Sequence, residues 1–493
     1  MFSKILIANR GEIACRIIKA CNEMGIKTVA IYSDVDSNAL HTTLADEAIS
    51  IGGNTASESY LNIDKVINAA LKTNADAIHP GYGFLSENYH FNEKVRGHGL
   101  TFIGPDPEPM RLLGSKVESR IKMIEAGVPV VPGLKNASTN VSEYIAEANV
   151  IGYPVLIKAS AGGGGKGMRV VWTENELEES IYSAMREAKS AFGDDTIFME
   201  KYILEPRHIE IQVARDKFGN SVHLFERECS IQRRHQKVIE ETPSMAIDDT
   251  IRHKMGDAAI KALDSVDYHT VATVEFLLDK DKNFYFLEVN TRIQVEHAIT
   301  EMVTGVDLVK LQINLAYGNP IGLKQEDIKQ NGHAIETRIY AENAENNFLP
   351  TGGKVLSVNE LNNPGIRVDT GIKIGDEISS FYDPIMSKII CFGSNRNEAI
   401  QKSVYALKNY NLLGVVTSIP YLLNILEHQD FRDAKTTTDF ISKRNDELLN
   451  FNDHSIEAMS ILDKLGVLNS NQNIINNAFL STPWLEIGKW EID

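Results

Sequence analysis

Apolar residues recur along the first third of the chain in two alternating rhythms. Ile5-Leu6-Ile7-Ala8 and Thr28-Val29-Ala30-Ile31-Tyr32 are short unbroken runs, the length of buried strands. Between them Ile13, Ile17, Ala20 and Met24 sit at helical spacing from Glu12 onward, and Gly25 is a natural helix stop. Ile63 to Leu71 is helical again, and Ala77-Ile78 leads into His79-Pro80-Gly81-Tyr82-Gly83. Strand and helix in alternation predict parallel strands joined by crossover helices. A first domain is expected to end near Gly114.

The rhythm then changes. Tyr153 to Ala159 predicts a short strand, and Arg169 to Thr173 predicts its return. Ile209–Ala214, Val222–Glu228, Thr273–Leu278 and Phe284–Asn290 predict an antiparallel sheet. From about Gly332 a third region begins, rich in short strands and turns, with helices around Glu398–Asn409 and Pro420–His428. Residues after about 447 are Asn-rich and polar, yet carry Trp484, Leu485 and Trp490, which fits a docked tail.

Between the Tyr153 and Arg169 strands lies Ser160-Ala161-Gly162-Gly163-Gly164-Gly165-Lys166-Gly167-Met168. Glycine lets backbone N–H groups approach a ligand with no Cβ in the way, and Lys158 and Lys166 add positive charge. Polyphosphate is the natural ligand. A P-loop fails at both ends, because Ser160 stands at its first glycine and Gly167 at its Ser/Thr. Gly162, Gly164 and Gly167 satisfy G-x-G-x-x-G, but β-branched residues follow where a dinucleotide fingerprint must open a helix. The bland alternative is a flexible surface hairpin.

A second pattern is polar. Glu288, Asn290, Arg292, Gln294 and Glu296 fall at every other position, and an extended chain puts them on one face. Val289, Ile293 and Val295 take the other. Carboxylate and carboxamide oxygens are hard ligands suited to Mg²⁺ bridging phosphates, and Glu275 is placed to add a carboxylate from a neighbouring strand. Arg292 offers a planar fork for a small oxyanion. Glu296 is a candidate general base on the condition that burial raises its pKa. The plain alternative is a solvated strand face. Arg227 to Lys237 is a basic cluster, read either as a nucleic-acid patch or as a solvated loop. His79, His208 and His297, taken singly, read as structural histidines.

At 493 residues the chain has room for about three domains. Lys+Arg total 50 against 67 Asp+Glu, and a net charge of −17 argues against non-specific nucleic-acid binding. No run reaches a membrane span of ~18 apolar residues, and the N-terminus has no secretory h-region. Cys15, Cys21, Cys229 and Cys391 form no C-x-x-C pair, so neither a zinc ribbon nor a disulfide framework is indicated. A reducing cytoplasm is the expected location.

These motifs resemble those of biotin carboxylases. The resemblance is carried by Ile7-Ala8-Asn9-Arg10-Gly11-Glu12-Ile13-Ala14, by His79 to Asn88, by Lys158 to Arg169, by Glu226 to Lys237, by Glu288 to His297 and by Phe381-Tyr382-Asp383-Pro384. It runs in colinear order from residue 2 to about 445. It implies an α/β, ATP-grasp fold. A Rossmann-like N-terminal domain would cover residues 1–114. A central ATP-grasp domain would cover 115–331, with a glycine-rich lid at about 131–204. A C-terminal biotin carboxylase domain would cover 332–446, and a tail 447–493.

Position by position, the resemblance implies ATP contacts from Lys116, Lys158, Gly164, Gly165, Glu200, Lys201, Tyr202, Ile203, His208, Gln232, His235, Glu275 and Glu288. Glu275, Glu288 and Asn290 would hold two Mg²⁺ or Mn²⁺ ions. Lys237, Arg292, Gln294 and the backbone of Val295 would hold bicarbonate, with Glu296 as base and Arg338 at the biotin ureido oxygen. Ala161, Lys166, Ala298 and Lys19 depart from residues frequent in the family. The chain has no Ala-Met-Lys-Met biotinylation site, and no carboxyltransferase domain fits the remaining length. The carrier that brings biotin and the carboxyltransferase are therefore expected as separate partners, beside a homodimer. The expected complex is an acetyl-CoA or propionyl-CoA carboxylase, with a two-subunit pyruvate carboxylase as the alternative. Another ATP-grasp ligase would share the metal face but lack the Arg292, Gln294 and Glu296 run. A silent scaffold subunit would be expected to have lost Glu296, Lys237 or a metal carboxylate.

Overall fold

The computed structural model describes residues 1–134, 138–159, 168–192, 195–234, 236–359 and 361–451. The first domain is a five-stranded parallel sheet. Its spatial order is Glu47–Ser50, Lys27–Tyr32, Lys4–Ile7, Ala77–His79 and Thr101–Phe102. The helix Gly11–Glu23 follows the first strand and buries Ile13, Ile17 and Ala20, the positions set by the 3.6-residue repeat. Two of its motifs interlock. Asn9 donates to the carbonyls of Pro80 and Tyr82 at 2.8 and 2.7 Å. Gly81 takes φ +63° there, and a Cβ would stand 2.9 Å from the Asn9 amide.

Buried neutral histidines in this domain make stability pH-dependent. Burial pulls His41 from 6.5 to about 4 and His79 to about 3. The unfolded chain then binds more protons than the folded one below about pH 6.5, so stability is lost as pH falls. Each histidine is expected to cost ~2 kcal/mol between about pH 7 and pH 5, read as a lowered urea midpoint.

The central feature is an eight-stranded sheet whose paired neighbours all run antiparallel. Its order is Phe284–Asn290, Thr270–Leu278, Arg207–Arg215, Ser221–Arg233, Gln236–Thr242, His333–Tyr340, Ile385–Gly393 and Ile366–Thr370. The last three strands come from the third region, so one sheet runs across both regions without a break. On one face Ile209, Ile211, Val213, Val274 and Phe276 pack with Met255, Ala259 and Leu263 of the helix Asp249–Asp264. Strand side chains alternate between faces, so the intervening residues turn to the other side.

A separate three-stranded antiparallel sheet holds Arg169–Val171, Val155–Ala159 and Ile197–Lys201. Tyr144 of the helix Val141–Ile151, and Leu177 and Ile181 of the helix Glu174–Phe192, cover it. The return strand is antiparallel to the outgoing one, with Val155 opposite Val171. The glycine run between them lies outside the described residues. Among the described residues no helix is long and apolar enough to cross a membrane.

Candidate active site

Sheet register assembles the polar face. Arg227 lies opposite Glu210, Glu210 opposite Glu275, and Glu275 opposite Glu288. Four strands thus place a cation and three carboxylates in one row. Arg227 is fully buried and ion-paired with Glu210, and donates to Gln212 at 2.8 Å and to Thr273 and Thr300 at 3.0 Å. The basic cluster is therefore not a solvated loop. Its first half lies inside the strand Ser221–Arg233, where alternation turns Arg227 inward. Arg233 pairs with Glu342 at 2.8 Å and stacks on Phe348.

Lys237 is the second residue of the adjacent strand, Gln236–Thr242, and gathers three carboxylates. Its Nζ lies 2.6 Å from Glu210, 2.8 Å from Glu275 and 2.6 Å from Glu296. Burial alone would lower the Lys237 pKa, but the three anions raise it well above its ordinary value. Burial likewise opposes Glu275, yet Lys237 and His208 hold its carboxyl far below the usual range. His208 Nε2 stands 2.9 Å from Glu275, and its own pKa is raised against the pull of burial. Removing the Lys237 ammonium would leave three buried carboxylates without their shared cation, and breaking a buried pair in this way typically costs about 3–5 kcal/mol.

The sequence pattern from Glu288 to Glu296 implies one extended chain, and the structure corrects this. The strand ends at Asn290, and residues 291–296 turn into the helix His297–Thr304. The every-other spacing past Asn290 is kept by a loop. Asn290 still donates to Glu275 at 2.8 Å, and Gln294 lies 3.4 Å from the same oxygen. Arg292 is ion-paired with Glu87 at 2.9 Å and donates to Gln294 and Asn290 at 3.0 Å each. Its fork is held in place by the first domain.

Glu296 is fully buried, and the expected rise of its pKa is also corrected. Burial does push upward, but Lys237, Arg338 and Arg227 outweigh it and hold the carboxyl well below its ordinary value. Glu296 is thus a carboxylate at neutral pH, the form in which a base must stand. Arg338 Nη2 lies 3.0 Å from its second oxygen and 2.6 Å from Glu240. Burial lifts Glu240 to about 7. Arg338 therefore joins the middle strands to the third region through Glu240 and Glu296, not through Glu336 or Glu342. The Cys229 thiol is buried 3.9 Å from Glu296.

The other named residues surround this centre. Glu288 opens to solvent on one side, yet the protein crowds its carboxylate, and this desolvation together with Glu275 raises its pKa. Facing carboxylates at Glu275 and Glu288 are hard donors whose repulsion a divalent cation relieves, and the Asn290 side chain adjoins them with its amide nitrogen on Glu275 and its oxygen on Arg292. Lys116 opens the helix Lys116–Glu125 and adds positive charge toward Glu288. Lys158 is ion-paired with Glu200 across the small sheet. The Lys201 ammonium turns away to the carbonyls of Gly152 and Tyr153, at 3.1 and 2.8 Å. Tyr202 and Ile203 follow the strand end, and Gln232 sits opposite Lys237. Gly164, Gly165 and His235 lie outside the described residues.

Glu210 and Glu240 escaped the sequence reading, which named Arg227 only within the basic cluster and reached Glu87 only as part of the His79 to Asn88 motif. One signal for Glu210 was present: His208, Glu210 and Gln212 alternate with Ile209, Ile211 and Val213, the same every-other spacing found at Glu288.

A parallel-sheet domain joined to a large antiparallel sheet bearing carboxylates paired with buried lysine and arginine side chains defines an ATP-grasp ligase. Family models described as "Biotin carboxylase, N-terminal domain", "Carbamoyl-phosphate synthase L chain, ATP binding domain" and "Biotin carboxylase C-terminal domain" match residues 1–110, 115–324 and 336–443. Biotin carboxylase 1 of Bacillus subtilis is 49% identical over 442 residues, covering 90% of this chain and 98% of that protein. The chain belongs to the biotin carboxylase family and is an ATP-dependent ligase. The biotin carboxylase domain dimer of Hydrogenobacter thermophilus 2-oxoglutarate carboxylase, solved with MgADP, ADP and bicarbonate, superposes with a TM-score of 0.85 at 46% identity. That match covers 92% of this chain and 100% of that one. The mouse mitochondrial propionyl-CoA carboxylase alpha chain is 50% identical over 443 residues. This chain covers 61% of that relative's length.

Proposed function

We propose that this chain carboxylates biotin on a carrier protein, using ATP and bicarbonate, and that the residues above carry the reaction. One observation supports this most: Lys237 and Arg338 flank the two oxygens of Glu296, so a base lies between two cations. Lys116, Lys158, Glu200, His208, Gln232 and the backbone of Lys201, Tyr202 and Ile203 bind the nucleotide. His235, Gly164 and Gly165 are assigned to it from the sequence alone. Glu275, Glu288 and Asn290 hold Mg²⁺ or Mn²⁺, which when bound neutralises phosphate charge.

Lys237, Arg292, Gln294 and the Val295 backbone orient bicarbonate. Glu296 takes the bicarbonate proton, and the freed oxygen attacks the γ-phosphoryl group, giving ADP and carboxyphosphate. Carboxyphosphate breaks to CO₂ and phosphate, and phosphate takes the N1′ proton of biotin. The nitrogen then attacks CO₂, while Arg338 stabilises the negative charge on the ureido oxygen. Lys237 and Arg292 offset the repulsion between the approaching anions.

The carrier and a carboxyltransferase are the partners of this reading, with a homodimer as the working unit in the cytoplasm. An acyl-CoA carboxylase is the favoured complex, supported by the likeness to the propionyl-CoA carboxylase alpha chain. A pyruvate carboxylase is the second reading, supported by a solved biotin carboxylase subunit of pyruvate carboxylase at 46% identity and TM-score 0.82. ATP cleavage by the purified chain is expected to require bicarbonate and Mg²⁺ and to rise when free biotin is added. Phosphate release indifferent to bicarbonate would overturn the reading.

A further inference from the structure

The loop that carries Gln294, Val295 and Glu296 lies beyond the end of its strand, so no sheet ladder holds it. A site that orients a small anion needs its donors fixed to a fraction of an ångström. Two buried side chains from outside the loop grip consecutive carbonyls of it. His297 Nδ1 lies 2.7 Å from the Gln294 carbonyl oxygen. A carbonyl only accepts, so Nδ1 carries the proton. Burial holds the His297 pKa well below its ordinary value, so the ring stays neutral and keeps this tautomer.

Lys388 donates to the next carbonyl, that of Val295. Lys388 is completely buried in the strand Ile385–Gly393. Its register partners are Arg338 on one side and Asp369 on the other. The pair of strands that brings Arg338 to Glu296 therefore also brings Lys388 to Val295. A buried ammonium is costly unless it is paired. Here Glu336 and Asp369 each lie 3.8 Å from Nζ. Burial lowers the Lys388 pKa, but Glu12, Glu336 and Asp369 raise it above its ordinary value, so it remains a cation. The charge is thus kept inside the protein at a place where, among the described residues, the ammonium donates to the Val295 carbonyl.

We propose that Lys388 is a positioning residue for bicarbonate, acting through the Val295 carbonyl while His297 acts on the Gln294 carbonyl. Donation to the Gln294 carbonyl polarises the peptide that ends in the Val295 N–H. Donation to the Val295 carbonyl fixes the peptide that leads into Glu296. Neither side chain is assigned a contact with ATP, bicarbonate or biotin. The inference rests on the reading that Gln294, the Val295 backbone and Glu296 engage bicarbonate.

The test is initial-rate phosphate release by the full chain across bicarbonate and MgATP concentrations. Wild type is measured first. If its ATP cleavage ignores bicarbonate, the underlying reading fails, and this inference with it. If wild type responds, Lys388→Met is expected to raise the KM for bicarbonate by ~10-fold or more, with the KM for MgATP changed less than about two-fold. A merely structural lysine would lower kcat or thermal stability and leave the bicarbonate KM where it was, and that outcome overturns the proposal alone. His297 supplies a second route should Lys388→Met fail to fold. His297→Gln keeps an N–H donor and is expected to hold the bicarbonate KM closer to wild type than His297→Leu does. Equal values for the two variants would overturn the grip on this loop.

Discussion

Glu296→Gln lowers bicarbonate-dependent ATP cleavage by at least ~10²-fold, while affinity for a non-hydrolysable ATP analogue stays within about threefold of wild type. Glutamine keeps the shape of the side chain and one acceptor oxygen, so it can accept from only one of Lys237 and Arg338, and it cannot take a proton. The two cations on Glu296 both keep another carboxylate: Lys237 retains Glu210 and Glu275, and Arg338 retains Glu240. The substitution therefore strands no buried charge, and the variant is expected to fold. Isothermal titration with the analogue, beside phosphate release, separates binding from turnover. Near-wild-type turnover would reduce Glu296 to a structural ion pair.

Local pattern and sheet register were legible to different degrees. The strands and helices of the first domain follow from periodicity, because burial on one face imposes a fixed repeat. The sequence implies the helix from Glu12 to Met24, and the structure has Gly11–Glu23. The polar face was legible at Glu288 and Asn290, where the strand's two-residue repeat places polar groups on one side. Glu275 entered only as a neighbouring-strand candidate, and register now sets it directly opposite Glu288. What sequence could not give was the pairing of distant segments. Glu240 meets Arg338 because the strand Gln236–Thr242 lies beside His333–Tyr340, almost a hundred positions along the chain. Glu87 meets Arg292 from a different domain. The pKa of Glu296 was misjudged for the same reason. Burial is local and readable, whereas the three cations that outweigh it arrive from three separate strands.

Arg338→Ala splits the two half-reactions. Carboxybiotin formation is expected to fall by about 10²–10³-fold, the scale of removing one donor to a developing oxyanion. Charge appears on the ureido oxygen only once N1′ loses its proton, so the loss falls on that transition state. Biotin-independent ATP cleavage is not untouched, because Arg338 also lies 3.0 Å from Glu296. Taking that cation away raises the Glu296 pKa toward its ordinary value, so the base becomes protonated at a higher pH than in wild type. The acidic limb of the rate profile therefore moves upward, and cleavage at about pH 8 falls less than ~10-fold because Glu296 is still ionised there. The competing account makes Arg338 a brace between Glu240 and Glu296, fixing the third region to the middle strands. In that case both activities fall together, thermal stability falls with them, and raising the pH rescues neither. Radiocarbon transfer from bicarbonate to biotin, measured beside biotin-independent phosphate release across pH, distinguishes the two: parallel losses at every pH would refute the biotin assignment.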